Sequence, residues 1–370
     1  MRIGIYIHIP FCKRKCAYCD FLSSTDLSFE NVYLKKLKEE IGYYKNLYID
    51  SEVDTVFIGG GTPSVLRSGA LVDLFCALDK SFKLTEDVEV TVEANPDTLD
   101  EDKILEYSDF ATRVSIGVQS LSDKVLKIAG RLHDEAGARR ALKLLSGTKF
   151  DVSADLILGL PYDDLDSLTY STKGVLDYGI SHLSAYGLKV EEGTKFYKDY
   201  LSGKKFTDDD TVADMYDKVV DIANSYGLQR YEVSNFSRVG KECRHNVGYW
   251  TRKPYLGLGI GAHSLIDNVR YENTSSMQDY LNCSDFREVR GIEAKLSSDD
   301  ALFEEIMLRL RLKNGIDVDE INKSYGIDFL DKFSRPIDKL SRVLCVTPKK
   351  ISVKEQYFYA LNSIIVEFFE

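Results

Sequence analysis

Cys12, Cys16 and Cys19 follow a C-x3-C-x2-C spacing and come directly after an alternating apolar stretch, GIYIHI at 4–9. Three soft thiolates this close together suit iron-sulfur chemistry or zinc. A closed structural zinc site takes four ligands, and Cys19 is followed by Asp20 and Phe21 with no second C-x2-C downstream. His8 is a candidate fourth ligand, but strand alternation puts it on the face of Tyr6, toward the sheet interior. Three ligands leave one coordination position open, which favours a 4Fe-4S cluster able to take a small molecule on its fourth iron.

Further residues could meet such a molecule. GGGTP at 59–63 ends the next apolar run, and its glycines let backbone amides approach a ligand. No Gly-Lys-Ser/Thr follows, which excludes a nucleotide P-loop. Glu93 ends the third run and Gln119 the fourth, while Asp155 lies inside the fifth among apolar neighbours. Each alone reads as a capping or loop residue; on successive strands of a barrel they face its mouth, and an interior carboxylate needs a partner. Arg131, in AGRLHDE, reads from its neighbours as an ordinary helix charge. GLGIG at 257–261 lacks the third glycine and the later acidic residue of a dinucleotide fingerprint, so a tight small-residue strand near the barrel mouth is expected.

The elements that must position these residues are six apolar runs, at 4–9, 53–58, 88–93, 113–118, 152–160 and 182–188, with helical patterns at 28–46, 64–80, 134–146 and 208–226 between them. That alternation predicts an α/β fold of parallel βα units, and six strands before residue 190 suit an open, partial TIM-type barrel better than a closed one. Ser28 is the expected N-cap of the first helix, which places Val32, Leu34, Leu37 and Ile41 near helical spacing. RYEVSNFS reads as one more strand and HNVGYW as a loop. A helix opens near residue 298 and stops at Gly315. The expected domains are a barrel at 1–235 with the cysteine loop at 12–19, an extension at 236–285, and a small, mainly helical C-terminal domain at 286–370, with the boundary in the polar stretch 291–300.

A chain of 370 residues can bury a sizeable core. Its net charge of -11, without a basic stripe, argues against nucleic acid. Seven cysteines, four of them scattered, do not make a disulfide framework, and a reducing cytoplasm fits them. No run is long enough to span a membrane, which leaves peripheral contact with the inner face of the cell membrane as the closest expected membrane association.

IHIPFCKRKCAYCDF resembles the cluster loop of the radical S-adenosylmethionine (SAM) superfamily, and in particular of its oxygen-independent coproporphyrinogen III oxidase-like group. The resemblance covers nearly the whole chain. It implies that SAM chelates the fourth iron of a 4Fe-4S cluster and is cleaved to a 5'-deoxyadenosyl radical. It also implies that Gly60, Gly61 and Thr62 meet the SAM amino group, that Glu93, Gln119, Arg131 and Asp155 line the SAM pocket, and that Tyr6 and Tyr18 stand beside the cluster. The oxidases of this group carry a fourth cysteine two residues past the triplet, where this chain has Phe21, and a long N-terminal arm, where eleven residues precede Cys12. Coproporphyrinogen oxidase activity is therefore not expected.

HNVGYW instead matches an H-N-x2-Y-W motif of heme chaperones in the same superfamily. The match implies heme binding through His245, Asn246, Tyr249 and Trp250, with delivery to recipient hemoproteins such as membrane-associated respiratory cytochromes. An imidazole can ligate heme iron and a Tyr-Trp pair offers flat apolar surface. From the residues alone, the preferred reading is a structural histidine and a loop anchored by the only tryptophan; Cys243 and His263 are further ligand candidates. The alternative function is a radical enzyme, either the oxidase or a radical methyltransferase.

Overall fold

The computed structural model describes residues 1–369. The six apolar runs form six parallel strands: β1 (Arg2–Ile9), β2 (Glu52–Gly60), β3 (Lys83–Ala94), β4 (Arg113–Gln119), β5 (Asp151–Leu158) and β6 (His182–Gly187). They neighbour one another in chain order. Helices return the chain between them, as parallel pairing requires. These are α1 (Glu30–Lys45), α2 (Ala70–Asp79), α3 (Glu101–Tyr107), α4 (Asp123–Ala129), α5 (Glu135–Ser146) and α6 (Leu165–Leu176); α7 (Lys195–Leu201) and α8 (Asp209–Ser225) follow β6. The main core lies between strands and helices, where Ile3, Ile5, Ile7 and Ile9 of β1 join Leu34, Leu37 and Ile41 of α1. Val32 is exposed and Tyr33 takes the buried position. Ser28 does not cap α1: it sits in a short 3-10 turn capped by Asp26, whose carboxylate accepts from the Ser28 amide, and the helix starts two residues later.

RYEVSNFS forms two short strands, β7 (Gln229–Arg230) and β8 (Asn235–Ser237), with β8 antiparallel to β6. On the other side β1 pairs in parallel with β9 (Tyr255–Leu258), and β10 (His263–Ile266), β11 (Val269–Asn273) and β12 (Arg290–Lys295) continue as an antiparallel meander. The sheet of twelve strands runs β12-β11-β10-β9-β1-β2-β3-β4-β5-β6-β8-β7, and its two ends do not pair, so the barrel is open. The extension at 236–285 is thus mostly part of this sheet, and 290–295, expected in the C-terminal domain, is its edge strand.

GLGIG is a strand end followed by a turn rather than one strand. Gly259 has φ +92°, and its amide donates to Glu40 of α1 at 2.7 Å. The same buried carboxylate accepts from Asn273 Nδ2 at 2.9 Å and from Tyr280 Oη at 2.7 Å, the latter on α10 (Met277–Asn282). One carboxylate thereby ties the first helix to three later segments.

The C-terminal domain has its own core around Leu302, Ile306, Ile321, Phe329, Ile351 and Phe358. It comprises α11 (Ser298–Arg309), α12 (Val318–Tyr325), α13 (Phe329–Lys332), α14 (Ser334–Lys339) and α15 (Leu361–Val366), with a small sheet of β13 (Ile316–Asp317), β15 (Lys350–Val353) and β14 (Leu344–Val346). α11 ends before Gly315 because Leu312 leaves the helix to make a bridge with Glu232. Glu304 of α11 pairs with Arg252 at 2.6 Å and with Arg270 of β11, clamping this domain to the sheet.

HNVGYW is a helix, α9 (Arg244–Trp250), not a loop. Glu89 of β3 makes this possible: its carboxylate accepts from the backbone amides of Arg244 at 3.0 Å and His245 at 2.9 Å, satisfying helix donors that would otherwise be buried unpaired. His245 is itself buried, with Nδ1 3.0 Å from Thr55 Oγ1 and Nε2 2.9 Å from Tyr249 Oη, one helical turn on. Burial pushes its pKa down to about 3, so it stays neutral. Glu89→Ala and His245→Ala should each cost about 1–3 kcal/mol of unfolding free energy, the range for stranding buried polar partners. Urea denaturation followed by circular dichroism measures this; an unchanged midpoint in both variants would show that neither contact supports the fold.

Candidate iron-sulfur and cofactor site

The strands deliver their C-terminal ends to a cavity of about 440 Å³ that Cys12, Cys16 and Cys19 help to line. The loop carrying them is pinned from three directions. The Cys12 amide donates to Ser24 O, the Ala17 amide to Ala129 O at the end of α4, and the Phe196 amide of α7 to Ala17 O, each at 2.9 Å. Thr62 Oγ1 lies 3.3 Å from Cys12 Sγ. Gly61 lies so close beneath the loop that a Cβ there would meet Phe11 O at 2.7 Å.

The donor set fits a cluster. Among the described residues no three His, Cys, Asp or Glu side chains converge as a single-ion site requires; in a cluster each thiolate meets its own iron. Burial pushes the Cys19 thiol up to about 11 and Cys12 in the same direction, so iron loading must displace protons. His8 is not a ligand, because Nδ1 is 2.9 Å from Tyr6 Oη and Nε2 2.8 Å from Leu22 O.

Behind the loop the barrel interior is polar, unlike the apolar layers that fill a closed barrel. Glu93 accepts from the Gly60 amide at 3.0 Å, and burial, reinforced by the charge of Asp155, pushes it up to about 8. Asp155 accepts from Ser115 Oγ at 3.1 Å and is also shifted upward, chiefly by burial. Gln119 ends β4 with φ +67°, a conformation disfavoured for a side chain of this kind, and lines the cavity. Arg131 is no solvated helix charge: Nη2 donates to Asn95 Oδ1 at 2.6 Å and to Gly117 O at 2.5 Å, and Nη1 lies 3.5 Å from Cys16 Sγ. Tyr18 and Thr62 line the same cavity.

Asn95 is a residue the sequence reading missed. It bridges Arg131 and Thr62, donating to Thr62 Oγ1 at 2.9 Å. Ser115, Ser153 and Arg113 are also cavity residues, and the period of two through Arg113, Ser115, Gly117 and Gln119 was the signal that could have marked the inward face of β4. Thr91 Oγ1, Arg113 Nη2 and Arg131 Nε are buried there without hydrogen-bond partners among the described residues, which fits a polar wall that meets a ligand or water.

Other expected site residues stand apart. Tyr6 does not line the cavity; it lies behind Phe57, which does, with ring centroids 6.2 Å apart. His245 stacks on the other part of that support, 5.2 Å from the Phe57 ring, and both of its nitrogens are already bonded. As an iron ligand it would have to break both bonds, which favours its structural role. Asn246 alone of the HNVGYW motif reaches the cavity; Tyr249 and Trp250 do not line it. Cys243 lines the cavity but is buried, with Sγ 3.6 Å from Glu89 Oε1.

Residues 6–170 match the radical SAM superfamily and residues 296–343 the HemN C-terminal domain. The heme chaperone HemW of Lactococcus lactis is 32% identical over 369 residues, covering 98% of this chain and 96% of that one. HemW of Escherichia coli is 33% identical over 326 residues, covering 84% and 82%. The structure of Escherichia coli coproporphyrinogen III oxidase, HemN, superposes with a TM-score of 0.86 at 21% identity, covering 99% of this chain and 89% of that one, which establishes the shared fold. With full-length similarity to the chaperones laid over a cysteine loop at the mouth of an open barrel, this chain belongs to the HemW family of the radical SAM superfamily.

Proposed function

We propose that the chain is a heme chaperone on a radical SAM scaffold, which binds heme and hands it to hemoproteins such as membrane-associated respiratory cytochromes. Family membership over almost the whole length is the observation that carries this reading. Phe21 supports it against the oxidase, since it stands where the oxidases carry a fourth cysteine. No helix among the described residues is long and apolar enough to cross a membrane, so contact with membrane recipients would be peripheral.

In this reading Cys12, Cys16 and Cys19 hold a 4Fe-4S cluster, and SAM occupies the cavity behind it. Together the two groups supply an electron and a cleavable sulfonium. The chain's own contribution is positional and electrostatic. Gly60, Gly61 and Thr62 offer backbone close to the cluster loop, Arg131 provides a cation for a carboxylate, and Gln119 is held facing inward. Glu93 and Asp155 are two carboxylates whose mutual repulsion a cationic ligand relieves.

Anaerobically reconstituted protein should hold close to four irons and four sulfides. Replacing Cys12, Cys16 or Cys19 with Ala should abolish this, while Cys76, Cys243, Cys283 and Cys345 should be dispensable. Stoichiometric zinc without iron-sulfur absorption would sink the cluster assignment.

Glu93→Ala, Asp155→Ala or Gln119→Ala should each weaken SAM binding about ten- to a hundredfold with cluster content intact, the worth of about 1.5–3 kcal/mol for a buried hydrogen bond to a charged group. The raised pKa of Glu93 adds a sign. Its carboxyl is neutral below about pH 8, so affinity for cationic SAM should rise as pH increases through that value and level off above it. Isothermal titration at several pH values tests this, and Glu93→Gln should flatten the profile; a wild-type profile already flat from pH 6 to 9 would remove Glu93 from the SAM contact.

Chaperone and enzyme separate in one anaerobic assay with heme, coproporphyrinogen III and SAM. The holoprotein should bind heme and form no protoporphyrinogen. Robust decarboxylation without bound heme would restore the oxidase.

A further inference from the structure

We propose that the groove on the outer side of the cysteine loop is the docking site of a small acidic iron-sulfur protein, which passes single electrons to the cluster. The proposal rests on the cluster reading above and names the kind of partner that cluster requires. An electron given up by the cluster has to be replaced, and among the described residues Cys76, Cys243, Cys283 and Cys345 do not gather into a second centre that could store one.

The groove, of about 340 Å³, lies between the cysteine loop, the end of α4 and the start of α7. Arg14, Lys15, Lys127 and Lys195 line it, and no carboxylate does. All four residues are exposed. Arg14, Lys127 and Lys195 have no hydrogen-bonded or ion-paired side-chain partner among the described residues, and Lys15 Nζ donates to a backbone carbonyl, Phe21 O, at 3.0 Å. Asp20 and Glu191 line the cavity and not the groove, and Glu191 is paired with Lys189. In a chain of net charge -11 this cluster of unneutralised cations is a local exception. It attracts an acidic surface while the overall charge repels one, so it selects the orientation of the partner as well as its sign.

Two further observations bring this patch within reach of the cluster. Cys16 and Cys19 line the groove as well as the cavity, so their thiols stand between a surface open to another protein and the space assigned to SAM. Gly130, with φ +80°, closes the end of α4 against the loop: a Cβ there would meet Ala17 N at 3.3 Å and Cys16 Cα at 3.7 Å, so no side chain thickens the wall at that point. With Ala17 and Ile128 it gives the groove a small apolar floor ringed by charge. Brief redox encounters use interfaces of limited size, whereas permanent complexes bury larger apolar ones. The transfer moves one electron: the donor centre is oxidised by one, the acceptor cluster reduced by one, and no bond forms or breaks. An iron-sulfur donor suits the groove better than a flavin donor, because its lysines and arginine are already protonated at neutral pH and cannot take up the proton a flavin would release.

The test titrates an acidic ferredoxin into cluster-loaded holoprotein by calorimetry at low ionic strength, and follows reduction of the cluster by the reduced ferredoxin in stopped flow. The wild-type protein should bind, and less tightly as salt is added. Lys127→Glu combined with Lys195→Glu should weaken binding and slow electron transfer about tenfold, with cluster iron and SAM affinity unchanged. The same change of charge on exposed positions of α1, Lys35→Glu with Lys38→Glu, should leave both at the wild-type level. Reduced methyl viologen, which needs no docking surface, should reduce all three proteins to the same extent. Wild-type affinity and rate in the Lys127 and Lys195 double variant, or no ferredoxin binding by the wild-type holoprotein, would overturn the docking site and leave the cluster reading in place. Phosphatidylglycerol vesicles that bind through Lys127 and Lys195 where ferredoxin does not would assign the groove to a membrane surface instead. Protein that takes up no iron-sulfur cluster would overturn the cluster reading and the docking site with it.

Discussion

Two carboxylates inside an open barrel set the terms for the site. Glu93 and Asp155 face one cavity, each is costly to ionise there, and each raises or responds to the other's charge. A closed barrel would fill this space with branched apolar side chains. Here the interior positions are taken by Thr91, Ser115, Ser153, His182 and Ser184, and the hydroxyls of Ser115 and Ser153 donate to Asp155. Such an interior cannot collapse on itself, which reconciles a polar cavity with a surrounding core as apolar as that of any barrel.

Carboxylates elsewhere hold the scaffold together in a different way. Glu40 and Glu89 are buried and both accept from backbone amides that the fold would otherwise leave unsatisfied: Glu40 at the turn after β9, Glu89 at the start of α9. Each joins segments far apart in sequence. The open edge of the barrel, where β9 to β12 extend the sheet past β1, is therefore fixed by side-chain-to-backbone bonds as well as by strand pairing. That rigidity reaches the cluster loop through His8, which is bonded to Leu22 O, and through Tyr33, whose hydroxyl donates to His8 O at 2.8 Å.

The six parallel strands, the open barrel and the four long helical segments were legible because period-two and helical patterns are strong where one face of an element meets a single core. What failed was local. The helix α9 was invisible as a helix because its start depends on Glu89, 155 positions away from Arg244. The edge strand β12 is short, exposed and charged, as edge strands are, and nothing in Arg290–Lys295 distinguishes it from a linker. Arg131 looked like a surface charge because its acceptors, Asn95 Oδ1 just past β3 and Gly117 O in β4, come from distant elements. The cysteine loop could be read from the sequence because its chemistry depends on local spacing.

The HNVGYW segment makes contacts of two kinds from one turn of helix. His and Tyr at i and i+4 share one helix face, and here they bond each other while the imidazole stacks on Phe57. Phe57 in turn lines the cavity, so the histidine supports the wall from behind. Asn246, one residue on, points from another face of the same helix into the cavity. A single turn of helix thus carries both a packing role and a cavity role, and the spacing of the motif follows from the geometry of that turn. His245 itself has both nitrogens bonded within the protein, and burial pushes its pKa to about 3, so it stands in the fold as a neutral ring.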